Sequence, residues 1–229
     1  MENLSDSHIR TKLNHAFFAA MGYYPDIIQP VQKSGSHRLY FRLKKDEVSL
    51  IGTYSPDIDE TKAFIRLSEH FSERLLPVPK VIYSEPGSDV YLQTDLGEVT
   101  LHDYLEKSQV AENKRFDLYK KALSDLVKIQ IEGAKQLDFS VCFPRASFDD
   151  VSMMWDLDYF KYVFLKPGNI DFHEDRLLKD FTLLVQRACE AEMKYFLYRD
   201  FQSRNIMVGN DEGLYYIDYQ GGRRGALQY

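Results

Sequence analysis

The sequence feature that most constrains the fold is a predicted β-hairpin in the stretch LYRDFQSRNIMVGNDEGLYYIDYQGG, residues 197–222. The apolar triplet IMV is followed by the turn-forming residues GNDEG and then by a second apolar run, LYYI. Two apolar runs separated by a short segment that contains glycine are typical of two antiparallel strands and their turn. We expect Val208 to lie opposite Tyr215 and Ile206 to lie opposite Ile217.

This register predicts that polar side chains meet at the open end of the hairpin. The next pair outward would join Asn205 to Asp218, and directly opposite residues have Cβ atoms ~4.5–5.5 Å apart. Asp200 lies on the loop that enters the same end. Magnesium prefers oxygen ligands and completes its shell with water and substrate phosphates. Asp and Asn are common in turns, but this spacing is also that of a kinase catalytic loop and its metal-binding aspartate.

Hydrophobic periodicity divides the chain into a strand-rich N-terminal part and a helix-rich C-terminal part. The first predicted helix begins near Ser5 or Ser7 and ends at Gly22, and the others are 57–76, 101–105, 113–132, 149–165 and 174–193. Besides the hairpin, the predicted strands lie within 31–43, 46–54, 77–83 and 90–93. Because the composition changes near residues 94–98, we expect an N-terminal domain of residues 1–96 and a C-terminal domain of residues 97–229.

Charge and composition argue against several classes of partner. The formal net charge is −6 and the Lys and Arg residues are scattered, whereas nucleic acid favours a basic face. No apolar run approaches the ~20 residues of a membrane helix, and MENLSDSHIR lacks the segments of a signal peptide. The His residues are dispersed, and Cys142 and Cys189 have no partners at metal-ligand spacing. We therefore expect a cytoplasmic protein with neither nucleic acid nor membrane as partner.

Several segments of the chain resemble one branch of the protein-kinase-like fold. YRDFQSRNIMV and YYIDYQGG resemble the aminoglycoside-phosphotransferase-like family, and look most like its bacterial sugar kinases. Those enzymes phosphorylate the anomeric hydroxyl of N-acetylmuramate or N-acetylglucosamine. SGSHRLYFRL resembles the family's nucleotide loop and first strands, and LQTDLGEVTLHDYL resembles its inter-lobe hinge. The resemblance implies an α+β fold with an antiparallel-sheet N-lobe and a mainly helical C-lobe. It also implies an ATP- and Mg²⁺-dependent kinase acting on a small molecule, most plausibly an amino sugar.

The resemblance implies a role for individual residues. Asp200 would be the catalytic base, Asn205 a catalytic-loop metal ligand, and Asp218 the principal Mg²⁺ aspartate. The residues expected to bind ATP are Ser34, Gly35, Ser36, Arg42, Gln93, Asp95 and Leu96. Ser34 to Ser36 belong to the loop expected over the phosphates, and Gln93 to Leu96 would line the adenine pocket. Arg204 and Arg223 are secondary candidates for contacts with phosphate or sugar.

The chain departs from the family pattern at two positions near the expected site. Tyr198 stands where many relatives have His, and Tyr can fill that space and donate one hydrogen bond. The strand EVSLIGTY lacks the Lys that many kinases place against the phosphates. Arg38 or Arg42 could take its place. Glu60 and Glu69 are the candidates for the carboxylate that pairs with this Lys in other kinases, and neither is assigned.

The chain also ends eleven residues after Asp218, at Tyr229. Relatives continue with helices that help to form the acceptor site. We therefore expect either a fragment of a longer protein, or a partner or further domain that completes this site.

Two alternatives to an amino-sugar kinase are open. One is a kinase for an aminoglycoside, choline or a similar cationic alcohol, whose pocket would contain acids. The available acids are Asp149, Asp150, Asp156 and Asp158. The other is a nucleotide-binding module without turnover, which the missing Lys and the early chain end suggest.

Overall fold

The computed structural model describes residues 6–31, 37–107 and 109–228. Its N-terminal part contains a five-stranded antiparallel sheet and two helices. The strands are β1 (Ile27–Pro30), β2 (Leu39–Lys45), β3 (Val48–Tyr54), β4 (Val81–Ser84) and β5 (Val90–Thr94), in the spatial order β1-β2-β3-β5-β4. The helices are α1 (Asp6–Met21) and α2 (Ile58–Glu73).

Alternation along β2 decides which face of the sheet is apolar. Leu39, Phe41 and Leu43 point to one face, where they share a hydrophobic cluster with residues of α1. Tyr40 and Arg42 consequently point to the opposite face. One side of the sheet is therefore closed by α1, and the other side carries polar groups.

Helix α2 begins at a strong capping residue and buries one apolar stripe. The carboxylate of Asp57 accepts hydrogen bonds from the backbone N–H groups of Asp59 and Glu60, both at 3.0 Å. Acidic residues in the first turn also suit the positive end of the helix dipole. Phe64 and Leu67 lie on the buried face, so the cap and the stripe together fix how α2 meets the sheet.

The C-terminal part is mainly helical, with two short strand pairs. Its helices are α3 (Leu101–Lys107), α4 (Glu112–Glu132), α5 (Asp150–Phe160), which continues through a π-helical turn (Lys161–Leu165), and α6 (Glu174–Ala188). The strands are β6 (Tyr195–Leu197), β7 (Ile206–Val208), β8 (Leu214–Tyr216) and β9 (Arg223–Gly225), paired as β6–β9 and β7–β8. Short 3-10 turns cover Phe139–Val141 and Ser203–Asn205.

None of the helices within the described ranges is long and apolar enough to cross a membrane.

The larger hydrophobic core joins the two parts of the chain. Its fully buried side chains include Leu67, Phe71, Leu101, Ile129, Phe196, Tyr216 and Tyr219. In addition, Tyr216 N donates to Pro77 O at 2.8 Å, which ties β8 to the segment before β4. The hairpin is thereby held against the N-terminal part, and the domain limits 1–96 and 97–229 stay a prediction.

The α+β class and the antiparallel sheet expected from the sequence are confirmed, whereas the hairpin register was wrong by one residue. Val208 pairs with Leu214, and Ile206 pairs with Tyr216. The reason is the turn, which is closed by a hydrogen bond of 2.9 Å from Gly209 N to Gly213 O. Since a strand has a period of two, such a shift exchanges the residues on its two faces.

We expect Phe71→Ala to destabilise the protein strongly, because Phe71 is fully buried and contacts the rings of Phe196 and Tyr219. The free energy of unfolding in urea should fall by about 3–5 kcal/mol, as for other buried Phe→Ala changes. Phe116→Ala is the matched control, since Phe116 on α4 is 63% exposed, and should cost less than about 1 kcal/mol. Equal losses for the two variants would contradict the assigned core.

Candidate active site

Asn205 and Asp218 lie side by side at the open end of the β7–β8 hairpin. Ile217, rather than Asp218, is opposite Asn205, since Ile217 N donates to Asn205 O at 3.0 Å. Asp218 has a φ of +69°, a left-handed conformation that Asp tolerates better than most residues. With this backbone, Asn205 Nδ2 donates to Asp218 Oδ2 at 3.3 Å. The expected contact is therefore present although the expected register is not.

Asp200 lies on the loop before this pair and completes the predicted trio. Asn205 Nδ2 also donates to the backbone oxygen of Asp200 at 3.0 Å, which holds the loop to the hairpin. Partial burial raises the pKa of the Asp200 carboxyl, and the nearby charge of Asp218 raises it further. The two carboxylates thus repel each other, and a divalent cation would relieve this repulsion. Carboxylate and carboxamide oxygens are the donors that Mg²⁺ prefers, so these residues fit a magnesium site.

Tyr198 holds the segment that leads into Asp218. Its side chain is buried, and its hydroxyl donates to Ile217 O at 2.6 Å. A tyrosine at this position therefore fills the space and donates one hydrogen bond, as expected from the sequence.

The residue after Asp218 connects the site to helix α2. The fully buried ring of Tyr219 is stacked on Phe64 and meets Phe71 edge to face, with ring centroids 5.5 and 5.3 Å apart. Its hydroxyl lies 2.6 Å from Ser68 Oγ. These buried contacts fix the backbone beside the candidate metal ligand.

Gln220 contacts the Asp218 carboxylate directly and was not predicted. Its Nε2 donates to Asp218 Oδ1 at 2.8 Å, and its side chain is buried. With Asn205 on one oxygen and Gln220 on the other, the carboxylate has a defined orientation. The sequence signal was available, since Gln220 follows Asp218 by two residues, but spacing alone does not show which way it points.

Of the two arginines suggested as replacements for the missing Lys, Arg38 lies beside the acidic site. Its Nη2 is 2.6 Å from Glu60 Oε1 and 3.9 Å from Asp218 Oδ1. Glu69 instead pairs with Arg66 on the exposed side of α2.

Arg42 is bound to the segment after β5. Its Nε is 2.6 Å from Asp95 Oδ2, its Nη2 donates to Gly97 O at 3.0 Å, and it also pairs with Glu98. Burial alone would raise the pKa of Asp95, but hydrogen bonds from Arg42 and Ser49 outweigh it and lower this pKa. Arg42 thereby links β2 to the segment after β5, which is the expected inter-lobe hinge.

The other residues expected to bind ATP are placed as follows. Gln93 on β5 is buried, and its Oε1 has no hydrogen-bond partner among the described residues. Leu96 is half-buried in the segment after β5. The loop residues Ser34, Gly35 and Ser36 lie outside the described residues.

Two of the four acids considered for a cationic acceptor already have partners. Asp149 caps α5 by accepting from Ser152 N, and it also pairs with Arg145. The Arg145 hydrogen bond, the largest cause, lowers the pKa of Asp149 to about 2. Asp156 accepts from Arg199 Nη2 at 3.1 Å on both of its oxygens.

The two secondary arginines differ in their surroundings. Arg204 is exposed. Arg223 is buried and donates to Gly221 O, and burial together with the charge of Arg199 lowers its pKa. Arg223 therefore feels the charge of Arg199, on the loop that carries Asp200.

Solved structures similar to this chain include aminoglycoside phosphotransferases and a choline kinase. The ternary complex of aminoglycoside phosphotransferase APH(2'')-IIa with streptomycin and ATP matches 99% of this chain and 74% of its own, with a TM-score of 0.63 and 14% identity. The match to aminoglycoside phosphotransferase APH(4)-Ia covers 96% of this chain and 74% of that protein's chain, with a TM-score of 0.63 and 14% identity. The match to choline kinase LicA from Streptococcus pneumoniae covers 96% of this chain and 71% of that protein's chain, with a TM-score of 0.59 and 12% identity.

Neither a protein-family profile nor a curated protein sequence matches the chain. The similar structures extend over nearly all of it, and at these identities they establish the arrangement of the backbone alone. The chain therefore has the α+β, protein-kinase-like fold found in aminoglycoside phosphotransferases and choline kinase.

Proposed function

We propose that this chain is an ATP- and Mg²⁺-dependent small-molecule kinase that transfers the γ-phosphate to a hydroxyl group. The observation that carries the proposal is the convergence of Asp200, Asn205 and Asp218 in this fold. Structures with the same fold hold ATP with streptomycin, and AMP-PNP or ADP with hygromycin B. An acid pair beside a carboxamide supplies the groups that phosphoryl transfer requires.

Each of the three residues has a distinct task in this proposal. Asp218 and Asn205 hold the metal ion through carboxylate and amide oxygens. When bound, the ion neutralises charge on the phosphates. Asp200 orients the acceptor hydroxyl and takes its proton as the hydroxyl oxygen bonds to the γ-phosphorus and the bond to the β–γ bridging oxygen breaks, releasing ADP.

The nucleotide would lie between the sheet and the hairpin. Ser34, Gly35 and Ser36 are proposed to cover the phosphates, and the segment from Gln93 to Leu96 to face the adenine ring. The ion pair between Arg42 and Asp95 supports this assignment, because it holds the backbone of the expected hinge in place. This backbone is expected to form the hydrogen bonds to adenine.

The proposed acceptor is an amino sugar of the N-acetylmuramate or N-acetylglucosamine type. The sequence resemblance supports it, and so does the engagement of Asp149 and Asp156 by arginines, which reduces the negative charge open to a cationic acceptor. A cytoplasmic location and a further segment or partner completing the acceptor site belong to the same proposal.

An aminoglycoside or choline kinase is the second candidate. The observation that favours it is that the similar structures include aminoglycoside phosphotransferases and a choline kinase.

An acceptor panel separates these candidates. With γ-labelled ATP and Mg²⁺, we expect label to move to N-acetylmuramate or N-acetylglucosamine, and not to the 1-O-methyl glycoside, which lacks the anomeric hydroxyl. Transfer to choline or an aminoglycoside instead would favour the second candidate. Binding of Mg·ATP without transfer to any acceptor would favour a non-catalytic nucleotide-binding module.

Asp218→Asn should weaken binding of Mg·ATP by about tenfold or more, which corresponds to about 1.4 kcal/mol. The change removes the ligand charge, while Asn tolerates the left-handed backbone at this position. Calorimetric titrations with Mg²⁺ and with EDTA should show that the loss is confined to the magnesium-containing titration. Asp211→Asn is the matched control, because Asp211 lies in the turn at the other end of the same hairpin, and it should leave the affinity unchanged.

Asp200→Asn should reduce turnover by about 10²–10⁴, the usual contribution of a positioned acid or base. Affinity for Mg·ATP should persist, because Asn205 bonds to the backbone oxygen of Asp200 and not to its carboxylate. The two quantities are measured by ADP release with the accepted substrate and by calorimetry, with Asp211→Asn again as control. Normal turnover by Asp200→Asn would show that another group accepts the proton.

A further inference from the structure

A buried arginine precedes strand β2 and faces the candidate metal site. The Arg38 side chain is 5% exposed, and its Nε and Nη2 lie 3.4 and 2.6 Å from the two oxygens of Glu60. Its Nη2 also lies 3.9 Å from Asp218 Oδ1. Within the described ranges, no other basic side chain comes within ion-pair distance of Asp218.

Strand alternation explains why Arg38 reaches this place. Arg38 directly precedes β2, so alternation places it on the same side as Tyr40 and Arg42, and the opposite face of β2 is packed on α1. The Tyr40 hydroxyl accepts a hydrogen bond of 3.2 Å from Arg38 Nη1, which helps to aim the guanidinium. The neighbouring strand β3 has neither Lys nor Arg among its residues, VSLIGTY, whereas Arg38 stands directly before β2.

The local charges indicate a role beyond stability. Burial would lower the pKa of Arg38, but the neighbouring Tyr40, Tyr91 and Glu60 raise it, so the guanidinium stays charged. A buried ion pair is weak evidence for stability, because the loss of hydration offsets much of the attraction. Glu60 balances the charge of Arg38, which leaves Asp200 and Asp218 for a divalent ion.

We propose that Arg38 is the phosphate-contacting cation of this site, supplied from the residue before β2 in place of a lysine on β3. This inference rests on the proposed kinase function. In protein kinases the β3 lysine pairs with a glutamate of the helix that follows and contacts the nucleotide phosphates. Here Glu60, on the helix after β3, holds Arg38 at the edge of the metal site. A guanidinium binds two phosphate oxygens with its planar fork, whereas an ammonium group acts as a point charge.

The inference is tested by how affinity depends on the phosphate chain. Calorimetry should compare adenosine, Mg·ADP and Mg·ATP on the wild-type chain, Arg38→Met and Arg38→Lys. Arg38→Met should lose about tenfold or more in affinity for Mg·ADP and Mg·ATP, and less than about twofold for adenosine. Arg38→Lys should recover part of the loss.

Arg10→Met is the matched control. Like Arg38, Arg10 is paired with a carboxylate, that of Asp6, but it is half-buried and lies over the ring of Phe41 on the other face of β2. The Arg10→Met variant should bind adenosine, Mg·ADP and Mg·ATP with the affinities of the wild type.

Glu60→Gln gives a second route to the same answer if Arg38→Met fails to fold. Without the carboxylate that orients the guanidinium, affinity for Mg·ATP should fall while adenosine binding persists. The role assigned to Arg38 would be overturned by either of two results in a folded Arg38 or Glu60 variant. The affinities for adenosine and Mg·ATP could both be unchanged, or both could fall by the same factor.

The same measurements distinguish a failure of the proposed kinase function from a failure of the role assigned to Arg38. If the wild-type chain binds no adenine nucleotide, the kinase proposal and this inference both fall. If the wild type prefers Mg·ATP to adenosine and the Arg38 variants keep that preference, only the role of Arg38 is contradicted.

Discussion

The left-handed backbone at Asp218 is the constraint on which the candidate site depends. Such a conformation in a residue other than glycine costs on the order of 1–3 kcal/mol and persists only when its surroundings hold it. Here Tyr198 binds the carbonyl of Ile217 on one side, and the buried ring of Tyr219 anchors the other side. Gln220 then fixes the carboxylate itself. The hydrophobic core thus stabilises a local geometry that the hairpin alone would not adopt.

Helix α2 connects this constraint to Arg38, on the side of the site proposed to bind the nucleotide. Ser68 contacts the Tyr219 hydroxyl, and Glu60, two turns earlier on the same helix, pairs with Arg38. Because both contacts come from one rigid element, a displacement of α2 would disturb the backbone at Asp218 and the buried cation together. The position of α2, set by its cap and apolar stripe, therefore bears directly on the proposed chemistry.

Local patterns in the sequence predicted the sheet, the helices and the grouping of the three polar residues, but not the contacts that join distant segments. The expected meeting of Asn205 and Asp218 rested on a register that was one residue off, and the left-handed backbone restored the contact. No spacing rule reveals such a conformation, because it depends on burial of the next side chain. The Arg38–Glu60 pair was likewise not assigned, since it requires the packing of a helix on a sheet face. Strand β1 (Ile27–Pro30) was missed because four residues carry too short an alternation.

The proposed chemistry requires Asn205 and Asp218 to hold a divalent ion against the phosphates of ATP. The most direct measurement is a crystal structure with AMP-PNP and Mn²⁺, in which anomalous scattering locates the ion without reference to the surrounding geometry. We expect a manganese peak at bonding distance from the Asp218 carboxylate, the Asn205 amide oxygen and the phosphates. Bound nucleotide with manganese elsewhere, or with these two side chains turned away from it, would disprove the proposed metal site.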